Sequence, residues 1–168
     1  MNIQRRLYIG LSISLGLFAA ALLFALFNHK HVYAMPNLLF VAPDADCGEM
    51  SPCFDNVQEA VDAAQSGDEI RVAAGIYQAL NTRVGITQTV YVSKTITIRG
   101  GYTSTNWTNP DPIIQPTILD AQTKGRVLYI TGDISPTIEG VHITGGDATG
   151  LGGGSWGGDA GGGVFVVT

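Results

Sequence analysis

The stretch Asn56 to Tyr77, NVQEAVDAAQSGDEIRVAAGIY, changes the period of its apolar residues partway along, and that change constrains the fold more than any other feature. Val57, Ala60, Val61 and Ala64 fall at i, i+3, i+4 and i+7, one face of a helix about two turns long. Asp55 or Asn56 can cap its start, with Gln58 or Glu59 three residues further on to complete a capping box, and Ser66-Gly67 is the expected stop. Ile70 and Val72 then alternate with polar neighbours, the period of a strand. So short a helix is not stable alone, so it must lie against the strand that follows it.

Strand periodicity continues to the last residue. A first strand is expected at Leu38-Leu39-Phe40-Val41, and later ones at Val90–Val92, Ile96–Ile98, Thr117–Leu119, Val127–Ile130, around Ile138, Val141 and Ile143, and at Val164–Val166. Each is too short for a lone hairpin to persist. Gly100-Gly101, Gly132-Asp133 and Gly145-Gly146 separate them, and eleven of the 22 glycines crowd between Gly145 and Gly163. Such a pattern fits either an antiparallel sandwich or barrel, or a solenoid whose coils stack as parallel β structure. The first needs Asn-Gly or Asp-Gly hairpin turns, and the chain has none, which favours the solenoid. Lys94–Gly101 and Gly140–Gly146 look like imperfect copies, each placing alternating aliphatics before Gly-Gly. If they are equivalent, their aliphatics stack about 4.8 Å apart in one core column, with Thr97 and His142 pointing outward.

The segments PTILDA, RVLYITG, SPTIEGVHITGG and GGGVFV, together with Asn56–Tyr77, resemble the opening coils of exported bacterial right-handed parallel β-helix proteins of the pectin-lyase-like superfamily. The resemblance runs from about Phe40 to Thr168. It implies an all-β, right-handed parallel β-helix in which a short N-terminal helix caps the first coil. It implies no particular activity, because such coils serve lyases, hydrolases, adhesins and surface proteins alike.

Residues 7–27 carry no charged side chain, follow Arg5 and Arg6, and end at Asn28-His29-Lys30-His31, which marks an export signal. Val32 and Ala34 around Tyr33 make an A-x-A-like site, so cleavage between Ala34 and Met35 is expected; an uncleaved anchor through residues 7–27 is the alternative. The paired arginines keep the N-terminus cytoplasmic in either case. The domain division is therefore residues 1–34 as signal or anchor and 35–168 as the N-terminal part of a β-helix, extracytoplasmic and secreted or at the cell surface. All fourteen acidic residues but only six of the nine basic ones lie after Ala34, a net charge of −8 that disfavours nucleic acid and anionic membranes as partners. Cys47 and Cys53, the only cysteines, bracket five residues and are expected to form one disulfide loop, worth about 2 kcal/mol on the chain-entropy model. A zinc site or a redox pair is disfavoured, since no further Cys or His pair lies nearby and the spacing is not C-x-x-C.

Chemistry is sparse. The lyases of the resembling family use acids to hold calcium and a basic group to abstract a proton, and the acids available for that are Asp120, Asp133, Asp147 and Asp159, with Asp111 and Glu139. Each is more readily a solvated turn residue, so no catalytic residue, resident metal or cofactor is expected, with calcium the one ion weighed. Arg99 and Lys94 are candidates to touch an anionic sugar, with salt bridging as the plainer role. Tyr102, Trp107 and Trp156 are candidates to stack on sugar rings. The expected partners are polysaccharide or cell-surface glycans. The uncharged strand Val164–Thr168 is expected to recruit another strand, the next coil of a longer chain in nature, or a second copy by self-association in the isolated 168-residue chain. Three functions fit: an exported structural or binding scaffold, adhesin-like or carbohydrate-binding; the N-terminal portion of a carbohydrate-active enzyme with its catalytic coils beyond Thr168; or a truncated product with no independent role.

Overall fold

The computed structural model describes residues 35–168; the apolar run 7–27 and Ala34 lie outside the described residues, and Met35 is the first inside them. Strands are β1 (Leu38–Val41), β2 (Cys53–Phe54), β3 (Glu69–Ala73), β4 (Gly75–Tyr77), β5 (Asn81–Arg83), β6 (Ile86–Val92), β7 (Thr97–Tyr102), β8 (Thr117–Asp120), β9 (Arg126–Thr131), β10 (Thr137–Glu139), β11 (Val141–Thr144) and β12 (Val164–Val167), with a helix α1 (Val57–Ala63) between β2 and β3. Among the described residues the fold is all-β with one short α-helix and three sheets, ordered β10-β7-β3-β1-β2, β11-β8-β4 and β12-β9-β6-β5. Every pairing is parallel except the β5–β6 hairpin.

Strand order gives a repeating path. The chain lays one strand in each sheet in turn, first as β3, β4 and β6, then as β7, β8 and β9, then as β10, β11 and β12. In-register parallel pairing keeps a residue's inward or outward sense from one pass to the next. Leu39, Ile70, Ile98 and Ile138 therefore form one inward column, Tyr77, Leu119 and Ile143 a second, and Val90, Leu128 and Val164 a third. Ile70, Ile98, Leu119, Val90 and Leu128 are fully buried, while Ile143 and Val164 at the last pass are exposed.

The expected pairing of the two Gly-Gly copies is overturned. Ile98 stacks on Ile138, and Val141 and Ile143 stack on Thr117 and Leu119 in a different sheet. The corner explains why. Gly100 meets Gly140 of the next pass so closely that a Cβ on Gly100 would run into the Gly140 carbonyl and lie 2.8 Å from Thr117 Cβ. The true counterpart of Thr97-Ile98-Arg99, which Gly100-Gly101 follows, is Thr137-Ile138-Glu139, which is followed by the single glycine Gly140. On the second pass, residues 103–116 are inserted between β7 and β8 as a loop, which hides the repeat in the sequence.

The helix sits where its apolar face predicted. Val57, Ala60, Val61 and Ala64 are buried in the core cluster, and Asn56 caps the start by accepting from the Glu59 N–H at 2.9 Å. It ends at Ala63 rather than at Ser66-Gly67. The Lys94 ammonium closes that end, donating to the carbonyls of Val61 (3.0 Å), Asp62 (2.9 Å) and Ala64 (2.6 Å). Those carbonyls would otherwise lack partners, and a cation there also suits the helix dipole. Asp68 ties the following turn to the first strand, accepting from Asn37 N–H (2.9 Å), Asn37 Nδ2 (3.1 Å) and Gln65 N–H (2.8 Å). Burial pushes its carboxyl up, but these hydrogen bonds prevail and hold it below the ordinary value.

Cys47 and Cys53 are joined in a disulfide with Cα atoms 5.9 Å apart, as expected from their spacing. No helix among the described residues is long and apolar enough to cross a membrane.

Candidate functional site

On the outer face of the first sheet, Glu69 pairs with Arg71 at 2.8 Å and with Arg99 at 3.6 Å, and Arg99 also bonds Glu139 one pass on. Hydrogen bonding to Tyr102, then to Glu139, raises the Arg99 pKa further above its ordinary value. Arg99 is thus spent on a charge ladder that ties neighbouring passes together, and Lys94 on the helix end. Neither offers a free cation to an anionic sugar.

The third sheet carries an aromatic ladder outside. Tyr91, Tyr129 and Phe165 are register partners, with centroids 5.5 Å apart at both steps and the first two rings only 7° from parallel. Stacked rings cover one another's faces, so this ladder presents ring edges rather than a platform for sugar. It stiffens the sheet.

Two of the three aromatic candidates are corrected by burial. Tyr102 and Trp107 are 1% and 5% exposed, packed with Phe40 in a second small core beside the disulfide, and Trp107 Nε1 donates to the Cys47 carbonyl at 3.2 Å. Trp156 is the opposite case, fully exposed at 104% on the glycine-rich loop between β11 and β12.

That loop is organised from within. Asp159 accepts from the N–H groups of Gly150 (2.8 Å) and Gly152 (2.7 Å), which lower its pKa. Asp147 accepts from the hydroxyl and N–H of Thr149, with the same effect. Asp120 accepts from Gln122 N–H and from Gln78 Nε2 one pass earlier, and its pKa is lowered too. These carboxylates serve turns and are oriented by them, an arrangement that does not fit calcium, which needs several oxygens converging on one point. Among the described residues no three His, Cys, Asp or Glu side chains converge as metal ligands would. His142 is exposed on the outer face in register with Ile118, as its parity predicted.

The residue that holds the loop from beneath drew no notice in the sequence. Arg126, at the start of β9, is fully buried and has no carboxylate partner among the described residues. Its Nη2 donates to the carbonyls of Gly152 (2.6 Å), Ala160 (3.0 Å) and Leu151 (3.3 Å), and its guanidinium lies 4.2 Å from the Phe165 ring centroid. A planar cation with several donors is suited to gathering carbonyls from different directions. The only sequence signal available was an arginine beginning an apolar strand, opposite Gln88. The exposed Trp156, the self-braced loop that carries it and the buried arginine that holds that loop make one organised surface feature. No family model, curated protein or solved structure matches the chain.

Proposed function

We propose that this chain is an exported right-handed parallel β-helix of the pectin-lyase-like kind, serving as a scaffold that presents the loop 145–163 for binding polysaccharide or cell-surface glycans. The observation that carries the reading is the division of labour on its surface. Arg99 and the rings of Tyr91, Tyr129 and Phe165 are engaged in ladders along the coils, whereas Trp156, the one fully exposed aromatic among the described residues, sits on a loop held by Arg126 and Asp159. A tryptophan so placed offers both ring faces to a sugar, and an isolated CH–π contact supports weak binding that repetition along a surface would strengthen. The disulfide suits an oxidising compartment.

The test is a glycan-binding screen of the full chain and its Trp156→Ala variant. Binding to one polysaccharide class that falls at least several-fold in the variant, with thermal unfolding unchanged, is the expected result. Binding that survives the substitution, or none to any polysaccharide or surface glycan, would refute the assignment.

A further inference from the structure

The loop 145–163 that carries Trp156 has Asp147 and Asp159 as its charged side chains and contains no Lys, Arg or His. Asp159 bridges to Gly153 across the base of the turn Ser155–Gly157 that holds the indole out. Bonds from the N–H groups of Gly150 and Gly152 to Asp159, and from the hydroxyl and N–H of Thr149 to Asp147, keep both carboxyls below their ordinary values. Both therefore stay ionised well into acid.

The basic side chains are committed elsewhere. Six Lys and Arg residues lie among the described residues. Arg71 pairs with Glu69, Arg83 with Asp62 and Arg99 with Glu69 and Glu139, while Lys94 closes the helix end. Arg126 is fully buried, its donors given to the carbonyls of the loop. Lys124 is exposed and donates to Gln122 Oε1 at 2.7 Å. It helps to lower the Asp120 pKa, and it lines a small cleft together with Asp147, so acids answer its charge as well.

We propose that the glycan taken by Trp156 is an uncharged polysaccharide, and that the Asp147 and Asp159 carboxylates act against polyuronate and sulfated chains. The proposal rests on the glycan-binding reading above. An indole stacks on the C–H face of a sugar ring whatever charge the ring bears, so the tryptophan alone does not choose between neutral and acidic chains. The charges around it do. A polyuronate brings a carboxylate on every residue to a loop that holds two fixed like charges and no basic side chain, and such juxtaposition is how a surface rejects a wrong partner. The residues after Ala34 carry 6 − 14 = −8, so the field met on approach has the same sign. A cationic sugar gains little in exchange, because Asp159 has both oxygens, and Asp147 one, bonded within the loop.

The test measures retention of the full 168-residue chain, in mild detergent, on immobilised neutral polysaccharides (β-1,3-glucan, galactomannan, xyloglucan) and acidic ones (polygalacturonate, alginate, heparin), at low (~20 mM) and high (~200 mM) salt. Retention on at least one neutral polysaccharide, insensitive to salt and reduced several-fold by Trp156→Ala, is expected, with none on the acidic three. Asp147→Asn keeps the oxygen that accepts both Thr149 bonds and removes only the charge, so its neutral retention should be unchanged. Asp147→Lys should gain retention on polygalacturonate at low salt that high salt, or an added Trp156→Ala, removes. Trp156-dependent retention of the unaltered chain on an acidic polysaccharide, as strong as on any neutral one, would overturn the proposal and leave the glycan-binding reading standing. So would an Asp147→Lys variant with unchanged thermal unfolding and no gain on polygalacturonate. Absence of Trp156-dependent retention on all six would refute the glycan-binding reading itself.

Discussion

Replacing Ile98 with alanine is expected to lower the unfolding free energy by about 2–5 kcal/mol, the range for truncating a large aliphatic in a closed core. Ile98 is fully buried and lies between Ile70 and Ile138 in one column, so the cavity opens inside the stack where neither neighbouring pass can settle into it. Ile138→Ala, one pass on, removes the same atoms from a half-buried site beside an open depression, where the loss is mainly the transfer of already part-solvated surface. Its cost should be smaller. Urea unfolding of both variants checks the ordering, provided the slope with denaturant is unchanged. Equal costs would mean that the middle pass is no better enclosed than the last.

Arg126→Leu is expected to release the glycine-rich loop. Leucine restores apolar volume beneath Phe165 but supplies no donor, so the carbonyls of Leu151, Gly152 and Ala160 lose the bonds that draw the loop onto the sheet. Orphaned carbonyls cost about 1–3 kcal/mol each if they stay buried, and a loop this rich in glycine can avoid the penalty by swinging into water. The global stability should therefore fall by only about 1–3 kcal/mol, while protease cleavage between Asp147 and Gly163 rises sharply. Arg126→Lys should restore the loop only in part, since an ammonium keeps three donors but lacks the second guanidinium nitrogen that also bonds the Leu151 carbonyl at 3.4 Å and the flat cation set against the Phe165 ring. Unchanged protection of the loop in Arg126→Leu would show that Asp159 and the turn around it suffice to hold it.

The local elements were legible wherever short-range chemistry decides them. Leu38–Val41 is a strand as its composition suggested, Asn56 caps the helix whose apolar spacing was plain, and the two cysteines are bonded. What escaped was pairing between passes. A parallel register is set by which corner glycine can tolerate a neighbouring backbone, and the sequence shows Gly100-Gly101 and Gly145-Gly146 as equals although the contact is between Gly100 and Gly140. The insertion 103–116 added to the confusion and also decided the fate of its own tryptophan, because that loop folds back so that Trp107 reaches Phe40 with centroids 5.0 Å apart. Arg126 and Lys94 escaped for a related reason. Both bind backbone carbonyls, and carbonyl partners leave no mark in a sequence, whereas a carboxylate partner at least appears as an acidic residue.

The in-register stacking of three passes is tested most directly by methyl NOE contacts among isoleucines. The stack predicts cross-peaks from Ile70 to Ile98 and from Ile98 to Ile138, and none from Ile98 to Ile143. A contact between Ile98 and Ile143 in place of Ile138 would restore the Gly-Gly copies as equivalent corners and contradict the arrangement described.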